Sequence, residues 1–236
     1  MTRIFLDTAN LADIEEFSRW GVISGVTTNQ KIFSKEKGVN FEEQSKKILE
    51  MVHPLPVSLE GPNDLDGILD VAHEYQSWGI DKDRPRSNTV IKVPMMGNGS
   101  GLEAVKILEA SHIKTNVTAC MTIHQVFLAA CAGASYVSLF FNRMRDMGLI
   151  TEKGKDYALE TVKDAMNLLV EGDFKTELIV GSIRKPEDIG ELLTVLPDII
   201  TIPPKILRKM PFCEKKEDTL KEFDNAWEEF LKAEKK

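Results

Sequence analysis

Alternation constrains this chain more than any other feature. Short apolar, β-branched runs recur along it, each followed within a few residues by a stretch of helical periodicity. "RIFLDT" gives way to "LADIEEFSRW", where Leu11, Ile14, Phe17 and Trp20 fall on one face. "VISGVTTN" leads to "NFEEQSKKILEMV", with Asn40 as N-cap and Glu43 three residues on. "LPVSLEG" leads to "DLDGILDVAHEYQSWG", "TVIKVPM" to "GLEAVKILEAS" and "IKTNVTAC" to "TIHQVFLAACAGA". "YVSLFFNR" precedes "KGKDYALETVKDAMNLLVEG", "ELIVGSI" precedes "KPEDIGELLTVL", and "IITIPP" opens into "PKILRKM". Strand and helix alternating about eight times, with short connections, predict parallel strands covered by helices. A length of 236 residues suits an α/β fold of one kind above others, the single (β/α)8 TIM barrel of about 250 residues. An open doubly wound sheet is the rival, but it usually needs fewer strands, and the chain shows no natural break. The barrel is assigned residues 1–212. Residues 213–236 are read as an extra C-terminal amphipathic helix, with Leu220, Phe223, Trp227, Phe230 and Leu231 as its apolar stripe. So rich a stripe must pack on its own barrel or on a neighbouring subunit.

A net charge of −7 carries no basic patch of the kind nucleic-acid binders show, so no nucleic-acid partner is expected. A few local arginines can still hold an anionic substrate on an acidic protein. Cys120, Cys131 and Cys213 lack CxxC spacing; they read as thiols that could all be buried, not as a disulfide framework. The opening "MTRIFLDTAN" reads as a strand and not as a signal peptide, and no apolar run approaches membrane-spanning length. No membrane partner and a cytoplasmic location follow as expectations. His53, His73, His112 and His124 have no metal-ligand spacing, so no metal is expected, nor any cofactor. "GNGSG" at 97–101 does not match the dinucleotide fingerprint and reads as a flexible loop. The polar stretch 79–88 reads as a loop on the N-terminal face.

Chemistry in such barrels sits at the C-terminal ends of the strands. The polar residues standing late in the runs are Asp7, then Thr27, Thr28 and Asn29, then Glu60, Lys92, Asn116 and Thr118. Ser138, Asn142, Arg143, Ser182, Arg184 and Thr201 follow. Strand alternation puts Phe5 and Asp7 inward with Ile4 and Leu6 outward, and Lys92 inward between outward Ile91 and Val93. A lysine removed from water can serve as a nucleophilic amine, typically forming a Schiff base with a ketone or aldehyde. Asp7 and Glu60 could then move protons, and Arg143 and Arg184 could clamp a phosphate. Each residue has a plainer reading: an inward lysine as partner of an inward carboxylate, Asp7 to Asn10 as a helix cap, the arginines as surface charges, Glu60 as a turn residue. None of these explains why they share one rim.

"FLDTAN", "GVTTNQ", "IKVPM" and "FFNR", with Ser182-x-Arg184, together resemble the transaldolase family in its short form, which also includes fructose-6-phosphate aldolase. The resemblance runs from about Arg3 to Pro204. It implies a Schiff-base mechanism on a (β/α)8 barrel, with Lys92 joined to the donor ketose. It also implies Asp7 as the acid/base at the donor C4 hydroxyl, and Glu60 and Thr118 holding the catalytic water. Thr27, Asn29, Ser138 and Asn142 would line the dihydroxyacetone pocket, and Arg143, Ser182 and Arg184 would bind the phosphate of sugar-phosphate partners. Two reactions lie within the family. A transaldolase of the pentose phosphate pathway passes the three-carbon unit from sedoheptulose 7-phosphate to glyceraldehyde 3-phosphate. An aldolase releases it as free dihydroxyacetone. Glu60 stands where the aldolase branch resembles a glutamine, and Phe140 where that branch tends to have tyrosine, which favours transfer. A non-catalytic sugar-phosphate-binding barrel is the alternative from another class. The family's usual proline after TTN is here Gln30, which keeps an N–H and a longer amide, leaving the loop looser or holding a new contact. Short members of this family resemble ring-forming homo-oligomers of five or ten subunits, with the C-terminal helix as the exchanged element.

Overall fold

A computed structural model describes residues 1–152 and 154–234. The strands are β1 (Arg3–Asp7), β2 (Ile23–Thr27), β3 (Val57–Glu60), β4 (Thr89–Pro94), β5 (Thr115–Cys120), β6 (Tyr136–Phe140), β7 (Glu177–Gly181) and β8 (Ile199–Ile202). They close into one barrel in chain order, all neighbours parallel, with β8 pairing back onto β1. The helices are α1 (Leu11–Trp20), α2 (Gln30–Phe33), α3 (Phe41–Val52), α4 (Leu65–Trp78), α5 (Ser100–Ala110), α6 (Ile123–Cys131), α7 (Phe141–Asp146), α8 (Tyr157–Glu171), α9 (Pro186–Leu192), α10 (Pro204–Leu207) and α11 (Glu214–Glu234). The (β/α)8 barrel with an added C-terminal helix is therefore the fold.

Alternation along each strand divides the side chains into two sets. Outward residues such as Leu6, Val26, Leu59, Ile91 and Val93 join the continuous core beneath the helices. Inward residues at the lower end of the barrel form a separate apolar plug of Phe5, Val90, Tyr136, Ile179 and Ile199. The rings of Phe5 and Tyr136 meet edge to face, 6.3 Å apart, across the barrel interior. Gly25 on β2 makes room for this plug, since a Cβ there would lie 2.6 Å from the Phe5 ring. Above the plug the inward side chains turn polar: Thr27, Ser58, Asn116, Ser138 and Thr201 are all buried. Such groups need partners inside the barrel, and they have them. Ser138 Oγ donates to Asn116 Oδ1 at 2.7 Å, and Asn116 Nδ2 donates to Ser58 Oγ at 3.1 Å. The site rests on this hydrogen-bonded floor.

Several local expectations are corrected. The run "YVSLFFNR" is not strand throughout: β6 ends at Phe140 and the chain turns at once into α7. The residues after "TTN" form the one-turn helix α2, capped by the Asn29 side chain, which accepts from Ile32 N at 2.9 Å. The cap expected within Asp7 to Asn10 is present and is Asn10, which accepts from Ala12 N and Asp13 N at 3.0 and 3.1 Å. Asp7 is thereby left for the barrel interior. Within "GNGSG", Gly99 adopts a left-handed φ of 81° before α5, and a Cβ on Gly101 would come within 2.4 Å of the Pro94 carbonyl. These glycines seat α5 against the end of β4. Cys131 and Cys213 are exposed; Cys120 is buried, and burial pushes its thiol up to about 12. The 79–88 segment is a loop between α4 and β4, at the strands' N-terminal end. Among the described residues no helix is long and apolar enough to cross a membrane.

Candidate active site at the C-terminal mouth of the barrel

A cavity of about 270 Å3 opens at the C-terminal ends of the strands. Its walls include Asp7, Thr27, Asn29, Lys92, Thr118, Ser138, Phe140, Arg143 and Ser182. Lys92 is only 6% exposed although it carries an ammonium group. Its Nζ donates to the Thr28 carbonyl at 2.9 Å and to Glu60 Oε2 at 3.2 Å. The pairing follows from register, because Glu60 on β3 lies opposite Lys92 on β4. Asn116 on β5 lies opposite Lys92 on the other side. The amine is thus held by a backbone carbonyl and a carboxylate, and Lys92 forms part of the cavity wall.

Asp7 accepts from Thr27 Oγ1 at 2.9 Å across the β1–β2 pair. Removal from water pushes the Asp7 carboxyl above the ordinary aspartate range. The Lys92 ammonium, the Thr27 hydroxyl and the Lys35 ammonium act against that rise, and the Glu60 carboxylate reinforces it. A carboxyl raised by burial in the same cavity as a buried amine is a candidate for proton transfer. Thr118 Oγ1 is buried without a hydrogen-bond partner among the described residues. A hydroxyl in that condition needs its partner from water or a ligand.

Three of the expected site residues do not line the cavity. Glu60 reaches the site through its contact with Lys92 Nζ. Asn142 belongs to α7, is buried, and donates from Nδ2 to the Ser182 carbonyl at 2.8 Å and to Asp188 Oδ2 at 2.7 Å. It ties the β6 end to the β7 end instead of facing the cavity. Arg184 points its guanidinium at Asp146, with Nη1 donating to Oδ1 at 2.7 Å, and remains at the surface. Ser182 does face the cavity, with a left-handed φ of 63° that is uncommon outside glycine. The Asn142 amide on the Ser182 carbonyl helps to hold that conformation.

The cavity also contains residues that sequence reasoning missed. Lys31, Ile32 and Lys35, on and just past α2, form part of its wall, as does Gly181. Two lysines spaced four apart directly after the end of β2 were the available signal. Gln30, where the resembled family has proline, donates from Nε2 to the Gly61 carbonyl at 2.6 Å and so braces α2 against the loop after β3. The new contact allowed for at this position is the one that forms. A second hollow of about 470 Å3 lies at the opposite face, around Glu109, Lys114, Tyr136 and Glu177. Glu109 there is spent on the backbone and hydroxyls of Thr115 and Ser135, as expected of a face that serves stability. Among the described residues no cluster of His, Cys, Asp and Glu is placed to hold a metal ion.

With this geometry in hand, comparison with known proteins is informative. Residues 4–236 match the family described as Transaldolase/Fructose-6-phosphate aldolase. The chain belongs to this family. A probable transaldolase of Kosmotoga olearia is 38% identical over 231 residues, covering 98% of each chain. One from Lactiplantibacillus plantarum is 35% identical over 233 residues, covering 99% of this chain and all of that one (100%). A third, from Moorella thermoacetica, is 38% identical over 208 residues, 88% of this chain and 89% of its own. The family is one of enzymes, and the family match takes in both the barrel and the C-terminal helix. A solved structure of a thiamine phosphate pyrophosphorylase from Pyrococcus furiosus superposes with a TM-score of 0.55 at 10% identity, covering 89% of this chain and 93% of that one. That likeness concerns the fold alone. At the mouth of this barrel Lys92, Asp7 and Thr118 share one cavity.

Proposed function

We propose that the protein transfers a dihydroxyacetone unit from a ketose phosphate to an aldose phosphate through a Schiff base on Lys92. The observation that carries this reading is a buried lysine amine in the wall of a polar cavity, with one carboxylate in contact and another across the mouth. The names of the probable transaldolases to which the chain is similar support it.

In this reading the Lys92 amine attacks the C2 carbonyl of the donor. The carbinolamine then loses water to give the imine. Asp7 takes the proton of the C4 hydroxyl, the C3–C4 bond breaks, and its electron pair is held as the enamine while the aldose leaves. Attack of that carbon on the acceptor aldehyde forms the new C–C bond, and Asp7 returns its proton to the new hydroxyl. Glu60 and Thr118 hold the water that carries protons as the Schiff base forms and hydrolyses. Thr27, Asn29 and Ser138 surround the three-carbon unit, and Arg143 and Ser182 stand where a phosphate would lie. Asn142 acts on the site through the β6 and β7 ends that it braces, and Arg184, paired with Asp146 only at the surface, can turn to the phosphate beside Arg143 and Ser182. Phe140 lines the cavity and offers no proton to the enamine, which favours transfer over release.

The deciding assay supplies sedoheptulose 7-phosphate with and without glyceraldehyde 3-phosphate. Transfer gives erythrose 4-phosphate and fructose 6-phosphate only with the acceptor present. Free dihydroxyacetone formed faster than transfer would instead make the protein an aldolase. Borohydride reduction with fructose 6-phosphate should place a three-carbon adduct on the peptide containing Lys92. Lys92→Met should keep the fold and lose the adduct. An adduct on another lysine would overturn the assignment, and no adduct at all would point to a non-catalytic sugar-phosphate barrel.

A further inference from the structure

We infer that Gln30 is a positioning residue for Lys92: its side-chain amide closes a ring of contacts that sets where the amine stands. This rests on the reading of Lys92 as the Schiff-base amine and deepens it. Lys92 Nζ donates to acceptors from two segments, the Thr28 carbonyl at 2.9 Å and Glu60 Oε2 at 3.2 Å. The two acceptors are placed by different means. Glu60 stands opposite Lys92 in the β3–β4 register. Thr28 lies one residue past the end of β2, and the β2–β3 register stops at Thr27 and Ser58. The Thr28 N–H and hydroxyl both donate to the Ser58 carbonyl, at 3.0 and 2.8 Å. The next tie beyond them is Gln30, whose Nε2 donates to the Gly61 carbonyl at 2.6 Å.

The ring runs from Thr28 along the chain to Gln30, across to Gly61, back to Glu60, and through Lys92 Nζ to the Thr28 carbonyl. Closing it fixes the separation of the two acceptors between which the amine sits. Both ends of the tie are seated. Asn29 accepts from Ile32 N at 2.9 Å, and Phe33 of the same short helix meets the Phe41 ring of α3 edge to face at 4.7 Å. Gly61 packs so closely on α4 that a Cβ there would lie 2.9 Å from Val71. The bond therefore joins two anchored segments and transmits position between them. An amine that attacks a carbonyl along one line gains rate from being held on that line. The Gln30 amide itself is exposed, so water can replace it, and the effect of losing it is moderate.

The test compares Gln30→Met and Gln30→Pro with the parent. Methionine keeps the length of the side chain and removes its donor. Proline removes the reach of the side chain yet suits the first residue of α2, which follows Asn29 in extended conformation at φ −160° and ψ 167°. With saturating fructose 6-phosphate, kcat and the rate of borohydride trapping on Lys92 should fall about three- to tenfold in both variants, with KM nearly unchanged. With formaldehyde and cyanoborohydride and no sugar, methylation of Lys92, read from the mass of its peptide, should instead rise at least about threefold. A one-carbon aldehyde needs no fixed line of approach, and the amine is no longer held by both acceptors. Hydrogen exchange of the β4 amides should stay at the parent rate, which a general loosening of the barrel would raise. Methylation or trapping at the parent rate in either variant overturns the inference. So does a loss carried by KM alone, or one accompanied by faster exchange across β4. If the parent traps no ketose, the proposed function fails by itself, and methylation of Lys92, which needs no sugar, still decides the role of Gln30.

Discussion

A lysine at the centre of an apolar strand is legible because the strand period is two: whatever alternates with Ile91 and Val93 must face the barrel axis. The same rule placed Phe5 in the plug and Asp7 above it. Period does not report which inward groups reach the cavity, so the pairing of Glu60 with Lys92 outside the cavity wall came only with the structure. Asp7 carries a consequence for stability. Folding raises its pKa, so the native state keeps the proton to a higher pH than the unfolded chain does. The contribution of this group is full below the ordinary aspartate value of about 3.9 and is lost as pH rises through the raised native value. Asp7→Asn removes that loss. Denaturant unfolding at a series of pH values should show the variant gaining on the parent from about pH 4 upward, then levelling off. A stability difference that does not change with pH would contradict it. Phe140 bears on the fate of the enamine. A phenol there could deliver a proton, and general acid help of this kind is worth about 10²–10⁴-fold. Phe140→Tyr, more so with Glu60→Gln, should raise dihydroxyacetone release relative to transfer. An unchanged product ratio would remove Phe140 from this role.

At the scale of elements, the eight strands and the larger helices were readable because their apolar patterns are long enough to show a period. The one-turn helices α2 and α7 were not, since four to six residues span barely one repeat. Both follow directly on strands that end in site residues, so the missed elements are the ones that aim the cavity's edges. Taking α7 for strand put Asn142 on the inward face with Ser138. As part of a helix it turns away and bonds Asp188, whose carboxylate is fully buried and also accepts from Arg184 N at 2.9 Å. Asn142→Ala should therefore act as a brace removed. Stability should fall by about 1–3 kcal/mol for the buried partners left unpaired, and kcat should drop as Ser182 loosens. Urea unfolding and steady-state kinetics measure the two. A rise in KM with kcat and stability intact would return Asn142 to the substrate pocket.

The molecule as a whole presents one surface that its own barrel does not explain. Along α11 the side chains of Leu220, Phe223, Trp227 and Phe230 are 47, 64, 60 and 54% exposed, and Trp227 stacks on Phe230 with ring centroids 5.4 Å apart. None of the residues described in α11 is buried. The stripe that the sequence assigned to a barrel or a neighbour thus stays exposed among the described residues. A contiguous row of large apolar groups of this kind marks an interaction surface, and we propose that further copies of the chain cover it in a homo-oligomer. Burying each such side chain is worth roughly 1.5–3 kcal/mol, so the stripe can contribute substantially to holding subunits together against the cost of association. Removing residues 214–236 should leave the barrel's spectrum and unfolding transition in place while lowering the mass seen in sedimentation. Trp227→Glu with Phe223→Glu should do the same in the full-length chain, since charges on the stripe are tolerated in water and not at an apolar contact. Retention of the parent mass by both variants would show that α11 is not the joint. Dissociation accompanied by loss of the barrel's own transition would show that the helix stabilises the fold directly.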